Sequence, residues 1–146
     1  RQPDGHEGRR RRGSLRRGVQ QLSSTPTVLK GSLRRNLALG LLHRPSDTKL
    51  KKAALAAGLE GLLDQIGGLE GPLAEGGRTL SAHDRSALSL TRILLSKPQL
   101  VLLGDGVWYL GPKARETLAA HLKKIGATTL RHPTLALASG ADPLAA

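Results

Sequence analysis

Apolar residues recur every three or four positions between Ser81 and Ser96, which is the spacing of one face of an α-helix. Ser81 and Asp84 precede that stripe in the arrangement of a capping box, with Asp in place of the usual Glu. Lys97–Pro98 ends the pattern, because proline does not continue a helix. The pattern therefore predicts a helix over about Ala82–Ser96.

Upstream of this helix, serine and glycine mark the ends of shorter apolar segments. Ser32 and then Ser46 or Asp47 stand where N-caps belong, and Gly58 follows the second segment as a C-terminal signal. The five glycines within residues 67–79 indicate a loop. The predicted helices are Leu33–Leu39, Thr48–Ala57 and Leu59–Gln65.

Leu100–Leu103 is a run of four apolar residues between turn signals, a pattern typical of a strand buried on both faces. A helix is predicted from Pro112 to about Lys124, and a short strand over Thr128–Leu130. Val19–Gln21 could end a further short strand. The alternation of helix and strand indicates an α/β fold with a parallel sheet.

The composition limits which residue types can form the core and which kinds of functional site are possible. The aromatic residues are Trp108 and Tyr109, with no Phe, so the core must be built from Leu, Ile, Val and Ala. The absence of Cys excludes disulfides and thiolate metal sites. No apolar run reaches the ~20 residues that cross a bilayer, and no signal peptide is evident. Position 1 is not Met, so we expect a fragment of a longer protein.

The chain has a net charge of +12, and residues 1–35 hold 10 Lys+Arg against 2 Asp+Glu. The run Arg9–Arg12, with Arg16 and Arg17, could bind nucleic acid or anionic lipid. No aromatic residue is interleaved for base stacking. We therefore expect residues 1–18 to be a basic, poorly ordered segment and do not expect nucleic acid as a partner, although a basic nucleic-acid-binding protein stays an alternative.

Three segments carry recognisable motifs, which read VQQ followed by LKGSLRRNL, then EGGRTLSAHDR, then RILLSKPQLVLLGD. In this order and spacing they resemble the ATP-binding cassette of ABC transporters, most closely the exporter type. The resemblance is to the Q-loop, the signature motif and the helix leading to Walker B. His132 falls at the switch histidine, and Ala141–Asp142 and Asp4–His6 resemble flanking family motifs.

The resemblance implies a P-loop NTPase-like fold, with a helical subdomain and part of a parallel RecA-like sheet. The partial cassette would span 19–146, with the helical subdomain at about 32–96 and Walker B to the switch at about 97–146. It implies ATP and Mg²⁺ as cofactors. A second cassette and a transmembrane domain would be partners at the cytoplasmic face of a membrane, where ATP binding and hydrolysis drive transport.

The resemblance also implies a nucleotide-binding role for the signature residues. In the family this helix N-terminus meets the γ-phosphate of ATP held by a second cassette, and glycines allow a close approach. Here Ala82 and His83 replace both glycines, and Asp84 adds a negative charge. Ser81 could bind phosphate, or Ser81 and Asp84 could be merely a capping pair.

Walker B holds Mg²⁺ with one carboxylate and activates water with a second. By spacing, Gly104 takes the metal-binding position and Asp105 the catalytic one, whereas a one-residue shift makes Asp105 the Mg²⁺ ligand. Asp105 could also be only part of a turn. Gly111 replaces the aspartate of the family's next loop.

Gln21 would sense the γ-phosphate and couple to the transmembrane part, and His132 would polarise the phosphate region. The interval from Gln21 to Gly31 exceeds the usual spacing by about three residues, so Gln20 and Gln21 both stay open.

The chain contains no G-x-x-x-x-G-K-[ST] phosphate-binding loop. Gly13–Gly18 has the glycine spacing, but Val19 and Gln20 follow where Lys and Ser/Thr are required. We expect the chain alone not to hydrolyse ATP and its sheet edge to be exposed. A degenerate cassette acting as a structural or regulatory partner is the alternative.

Overall fold

The computed structural model of the chain describes residues 18–131. The predicted switch residue His132, the Ala141–Asp142 pair, the Asp4–His6 segment and the basic run before Gly18 lie outside the described residues. In chain order the elements are β1 (Val19–Leu22), β2 (Gly31–Ser32), α1 (Leu33–Leu37), α2 (Asp47–Ala57), α3 (Glu60–Ile66), β3 (Pro72–Leu73), α4 (Ala82–Leu94), β4 (Leu100–Leu103), α5 (Pro112–Ile125) and β5 (Thr128–Arg131), with 3₁₀ turns at Glu75–Gly77 and Asp105–Tyr109.

The main sheet has three parallel strands in the order β1-β4-β5, which confirms the predicted parallel α/β arrangement. Strand β4 lies in the middle, and its Val101 and Leu103 side chains are buried. Within residues 18–131, β5 is an edge strand of this sheet, and all four of its residues are exposed. Leu22 pairs with Leu103, which brings the carboxyl ends of β1 and β4 side by side.

Serine side chains begin three helices as the sequence predicts. Ser32, Ser46 and Ser81 accept hydrogen bonds from backbone N–H groups three residues later, at 3.1, 3.3 and 3.0 Å. Each bond satisfies an N–H that has no partner inside its helix. For α2 the cap is Ser46, and Asp47 is the first helical residue. Gly58 ends α2 in the left-handed conformation that glycine adopts without strain.

Two predictions of local structure were wrong in part. Helix α1 ends at Leu37, two residues before the predicted Leu39. Residues 67–79 are not loop throughout, because Pro72–Leu73 pairs antiparallel with Gly31–Ser32 as β3 with β2. Strands of two residues carry no alternating pattern, so the sequence offers no signal for them.

A single apolar cluster joins the helices to the sheet and is built from aliphatic side chains, as predicted. It includes Leu37 of α1, Leu50 of α2, Leu90 of α4, Leu103 of β4 and Leu118 of α5, each at most 1% exposed. Burial of this kind supplies the main favourable free energy of folding. The core thus fixes α4 against the sheet, and α4 begins at the signature-like segment.

Asn36 is a buried polar anchor for the segment before α1. Its side-chain amide exchanges hydrogen bonds with both backbone groups of Leu29, each at 2.9 Å. Arg92 of α4 donates from Nε to the Asn36 carbonyl at 2.9 Å. Burial lowers the pKa of the Arg92 guanidinium to about 10, because the interior disfavours its charged form.

Candidate functional site at the carboxyl edge of the sheet

The segments that resemble the Q-loop and Walker B leave the sheet at the same edge. Strands β1 and β4 end together at the paired residues Leu22 and Leu103. Residues 23–24 and 104–105 follow directly and lie next to each other, and the Gly104 N–H donates to the Leu22 carbonyl at 3.0 Å. Ligand sites of open parallel sheets form at this edge, so this is the candidate functional site.

Asp105 is held by Ser24, which lies 81 residues earlier in the chain. The Ser24 backbone N–H donates to Asp105 Oδ1 at 3.0 Å, and the Ser24 hydroxyl donates to Oδ2 at 2.6 Å. Hydrogen bonds to an ionised carboxylate are short and about twice as strong as neutral ones. Both oxygens of the predicted catalytic carboxylate are therefore engaged by one buried serine.

Arg85 connects this pair to the signature-like segment. Its Nε donates to the Ser24 carbonyl at 2.7 Å, and its Nη1 donates to the Leu80 carbonyl at 2.6 Å. Since Leu80 precedes the cap of α4, a continuous chain of hydrogen bonds joins Leu80, Arg85, Ser24 and Asp105. We call these four residues the motif junction, because they connect the signature-like and Walker B-like segments to the loop that follows Val19–Gln21.

Ser89, one turn after Arg85 in α4, also holds the loop that follows β1. Its hydroxyl donates to the Gln21 carbonyl at 2.8 Å and accepts from the Ser23 N–H at 3.1 Å. The end of β1 is thus attached to α4 at two points, through Ser89 and through Arg85.

Gly104 and Gly106 lie against the backbone of this loop. A Cβ atom at residue 104 would stand 2.8 Å from the Leu22 carbonyl oxygen, and one at residue 106 would stand 2.9 Å from the Ser23 carbonyl carbon. Cβ atoms do not approach backbone this closely. Neither position can therefore carry a second carboxylate in this conformation, whichever of the two alignments of Walker B applies.

The structure places Gln21 inside β1 rather than in the loop after it. Its backbone pairs with Leu102, and its Nε2 would lie 3.3 Å from a Cβ at Gly104. Gln20 is half-buried in the same strand. Ser24 donates two hydrogen bonds to Asp105 and is a site residue that the sequence motifs do not include. The spacing was the available signal. The interval from Gln21 to Gly31 exceeds the usual family spacing by about three residues, so that spacing, counted back from Gly31, ends at Ser24 and not at Gln21.

The signature-like residues open α4. The Ser81 hydroxyl accepts from the Asp84 N–H at 3.0 Å, so it serves as the helix cap. His83 Nδ1 lies 3.1 Å from Asp84 Oδ1, and the His83 side chain is half exposed. Ala82 is the first residue of the helix. The carboxylate of Asp84 offsets the positive end of the helix dipole, where the family resemblance predicted a phosphate.

The described part of the chain holds neither a metal-binding cluster nor a membrane-spanning helix. No three or more His, Asp or Glu residues within 18–131 are grouped so that they could hold a metal ion. No helix in the same range is both long and apolar enough to cross a membrane.

Similarity to known proteins agrees with the motifs. "ABC transporter 1" of Ajellomyces capsulatus is 28% identical over 83% of this chain and 9% of its own length. The glutathione/L-cysteine transport system ATP-binding/permease protein CydC of Haemophilus influenzae is 34% identical over 63% of this chain and 16% of its own. The ATP-dependent lipid A-core flippase of Alkalilimnicola ehrlichii is 28% identical over 80% of this chain and 20% of its own length. The chain is therefore similar to a portion of the ATP-binding cassette of ABC transporters.

The fold of this chain has a counterpart among solved structures. A bacterial Atm1-family ABC exporter with ATP bound matches it with a TM-score of 0.63 and 17% identity, over 80% of this chain and 21% of that one. No protein-family model matches the chain. The chain spans at most 20% of the length of the three curated relatives above.

Proposed function

We propose that this cassette portion serves ATP-driven transport across a membrane as a non-hydrolysing element of an ABC transporter. Its partners would be a second cassette and a transmembrane domain at the cytoplasmic face. The observation that carries the proposal is the motif junction. It connects the signature-like and Walker B-like segments to the loop that follows Val19–Gln21, although the groups for hydrolysis are replaced or engaged.

The loops after β1 and β4 offer Mg²⁺ one carboxylate, that of Asp105. Protein sites for this ion offer one or two carboxylates together with substrate phosphates. Here both oxygens of Asp105 accept hydrogen bonds from Ser24, and the close packing of Gly104 and Gly106 leaves no room for a second carboxylate. Because a single carboxylate cannot both hold the metal ion and activate the water, any ATP held between two cassettes would be hydrolysed by groups of the other one.

A cleft beside the Q-loop-like segment supports docking of a transmembrane domain. It has a volume of about 500 Å³ and lies between Lys30–Gly31 and the segment 72–79. Glu75 accepts from the Lys30 N–H at 3.2 Å and so ties the two walls together. Because the wall at Lys30–Gly31 continues from the loop at Ser24, a partner in this cleft would be mechanically connected to the motif junction.

The alternative is a hydrolytic cassette in which Asp105 acts as the catalytic carboxylate. Its support is that Asp105 follows β4 at the sheet edge and is exposed to solvent. The two functions differ in what Asp105→Asn does to a transporter complex isolated from the protein's native membranes.

We expect Asp105→Asn to leave the ATPase rate of that complex within about twofold, as the matched surface substitution Asp64→Asn should. A catalytic carboxylate would instead lower the rate by roughly 10²-fold or more. Failure of the chain to copurify with any transmembrane domain would overturn the transport assignment itself.

A further inference from the structure

A basic groove of about 830 Å³ lies between α2 and α5, on residues that the motif junction does not use. Four cationic side chains and one histidine line it: Arg44, Lys49, Lys52, Lys124 and His43. Lys49 and Lys52 are three residues apart and share one face of α2, while Lys124 reaches the groove from α5. Two separate helices therefore direct positive charge into one cavity.

No carboxylate lines the groove among the described residues. Two acidic residues adjoin lining residues along the chain, Glu116 beside Thr117 and Asp47 beside Ser46, and Arg34 donates to both oxygens of Asp47 at 3.0 Å. That ion pair lowers the pKa of the Asp47 carboxyl below its usual value, with smaller contributions from Lys51 and Arg44. The repulsion between the cationic side chains in the groove is thus not offset by the protein's own lining.

The floor of the groove is apolar. Ala53 and Ala56 of α2 and Leu94 and Leu95 at the C-terminal end of α4 line it, together with Ser46. Binding sites for small molecules have volumes of about 300–1,000 Å³, mostly apolar walls and a few polar groups that fix orientation. The groove meets that description with positive charge at its polar positions.

We propose that this groove binds a phosphate-bearing amphiphile, with the phosphate at the lysines and the apolar part on the alanine and leucine floor. The site is separate from the motif junction and does not depend on the proposed function. A soluble organic phosphate and a lipid headgroup share this chemistry, and the experiment distinguishes them.

The test measures binding by calorimetry to the full chain at low salt. The probes are pyrophosphate, monomeric dioctanoyl phosphatidic acid, and phosphatidylcholine vesicles that contain phosphatidic acid. The groove variant is Lys49→Ala with Lys124→Ala. The matched control is Lys51→Ala with Lys123→Ala, which removes the same charge from the same two helices at positions outside the groove.

We expect the groove variant to bind phosphatidic acid roughly fivefold or more weakly, because each exposed ion pair changes an equilibrium by up to about fivefold. The control should change by less than about twofold. Phosphatidic acid should also bind more tightly than pyrophosphate, since only phosphatidic acid covers the apolar floor. If the groove variant loses only vesicle binding, the phosphate comes from a lipid headgroup. If it loses only binding to the soluble probes, the phosphate comes from a soluble molecule.

Equal weakening in the groove variant and its control would overturn the proposal, because binding would then follow net charge alone. Absence of binding to every probe would do the same. A second variant, Ala56→Glu, places a carboxylate on the floor with a residue that favours helix, and it should abolish binding while α2 remains folded. Unchanged affinity in this variant would also contradict the proposed site.

Discussion

The helical segment from α1 to α4 and the loops at the carboxyl edge of the sheet are held together by different forces. The helices are fixed by aliphatic side chains that exclude water, such as Leu50 and Leu90, and by serine caps. The loops are fixed by hydrogen bonds at the motif junction and by glycines against backbone. The helices should therefore be sensitive to lost volume, and the loops to added volume.

Leu90→Ala should give the largest effect. Leu90 is fully buried in α4, and truncating such a side chain removes apolar contacts and leaves a cavity, at a cost of about 2–5 kcal/mol. Urea unfolding followed by circular dichroism measures the loss. Leu55→Ala on the exposed side of α2 is the control and should change the free energy of unfolding by less than about 1 kcal/mol. Equal losses would contradict the view that packing at α4 holds the helices.

Gly106→Ala tests the opposite sensitivity. The added Cβ would meet the Ser23 backbone at 2.9–3.0 Å, and overpacking of this kind costs about 1–3 kcal/mol. Gly61→Ala in α3 is the matched control, because nothing lies within 4 Å of its Cβ position. Alanine there should stabilise the chain by about 0.5–1 kcal/mol. The same sign for both substitutions would show that the loops tolerate added volume.

A double-mutant cycle of Ser24→Ala and Asp105→Ala should give the smallest effect. The two side chains share a 2.6 Å hydrogen bond, but Asp105 is exposed, so we expect a coupling energy of about 1 kcal/mol. Thr25→Ala combined with Asp105→Ala should give no coupling, since the Thr25 hydroxyl pairs with Ser23. A coupling energy near zero in the first cycle would show that the hydrogen bond between Ser24 and Asp105 does not stabilise the fold.

The sequence predicted those features whose signals lie within one element. The caps at Ser32, Ser46 and Ser81 and the apolar run of β4 each depend on residues a few positions apart. The Ser24–Asp105 contact joins residues 81 apart, and no periodicity encodes it. The close approach of Gly104 and Gly106 to the loop after β1 likewise depends on strand register, which appears only once β1 and β4 are paired.

The roles predicted for Asp105, Ser81, Ala82, His83, Asp84 and Gln21 in nucleotide binding or catalysis stay predictions. The arrangement around them shows why sequence alone could not settle their roles. A carboxylate at a strand end and a serine at a helix start look the same in a sequence whether they contact a ligand or a neighbouring loop. Here the described contacts of Ser81 and Asp105 are with α4 and Ser24.

The glycine at position 104 has a consequence for how this sequence can change over time. With no side chain there, the Leu22 carbonyl oxygen has come within 2.8 Å of the place a Cβ would occupy. Any single substitution to a larger residue would meet that oxygen and lower the stability of the chain. A larger side chain at this position therefore needs a second change that moves the loop after β1.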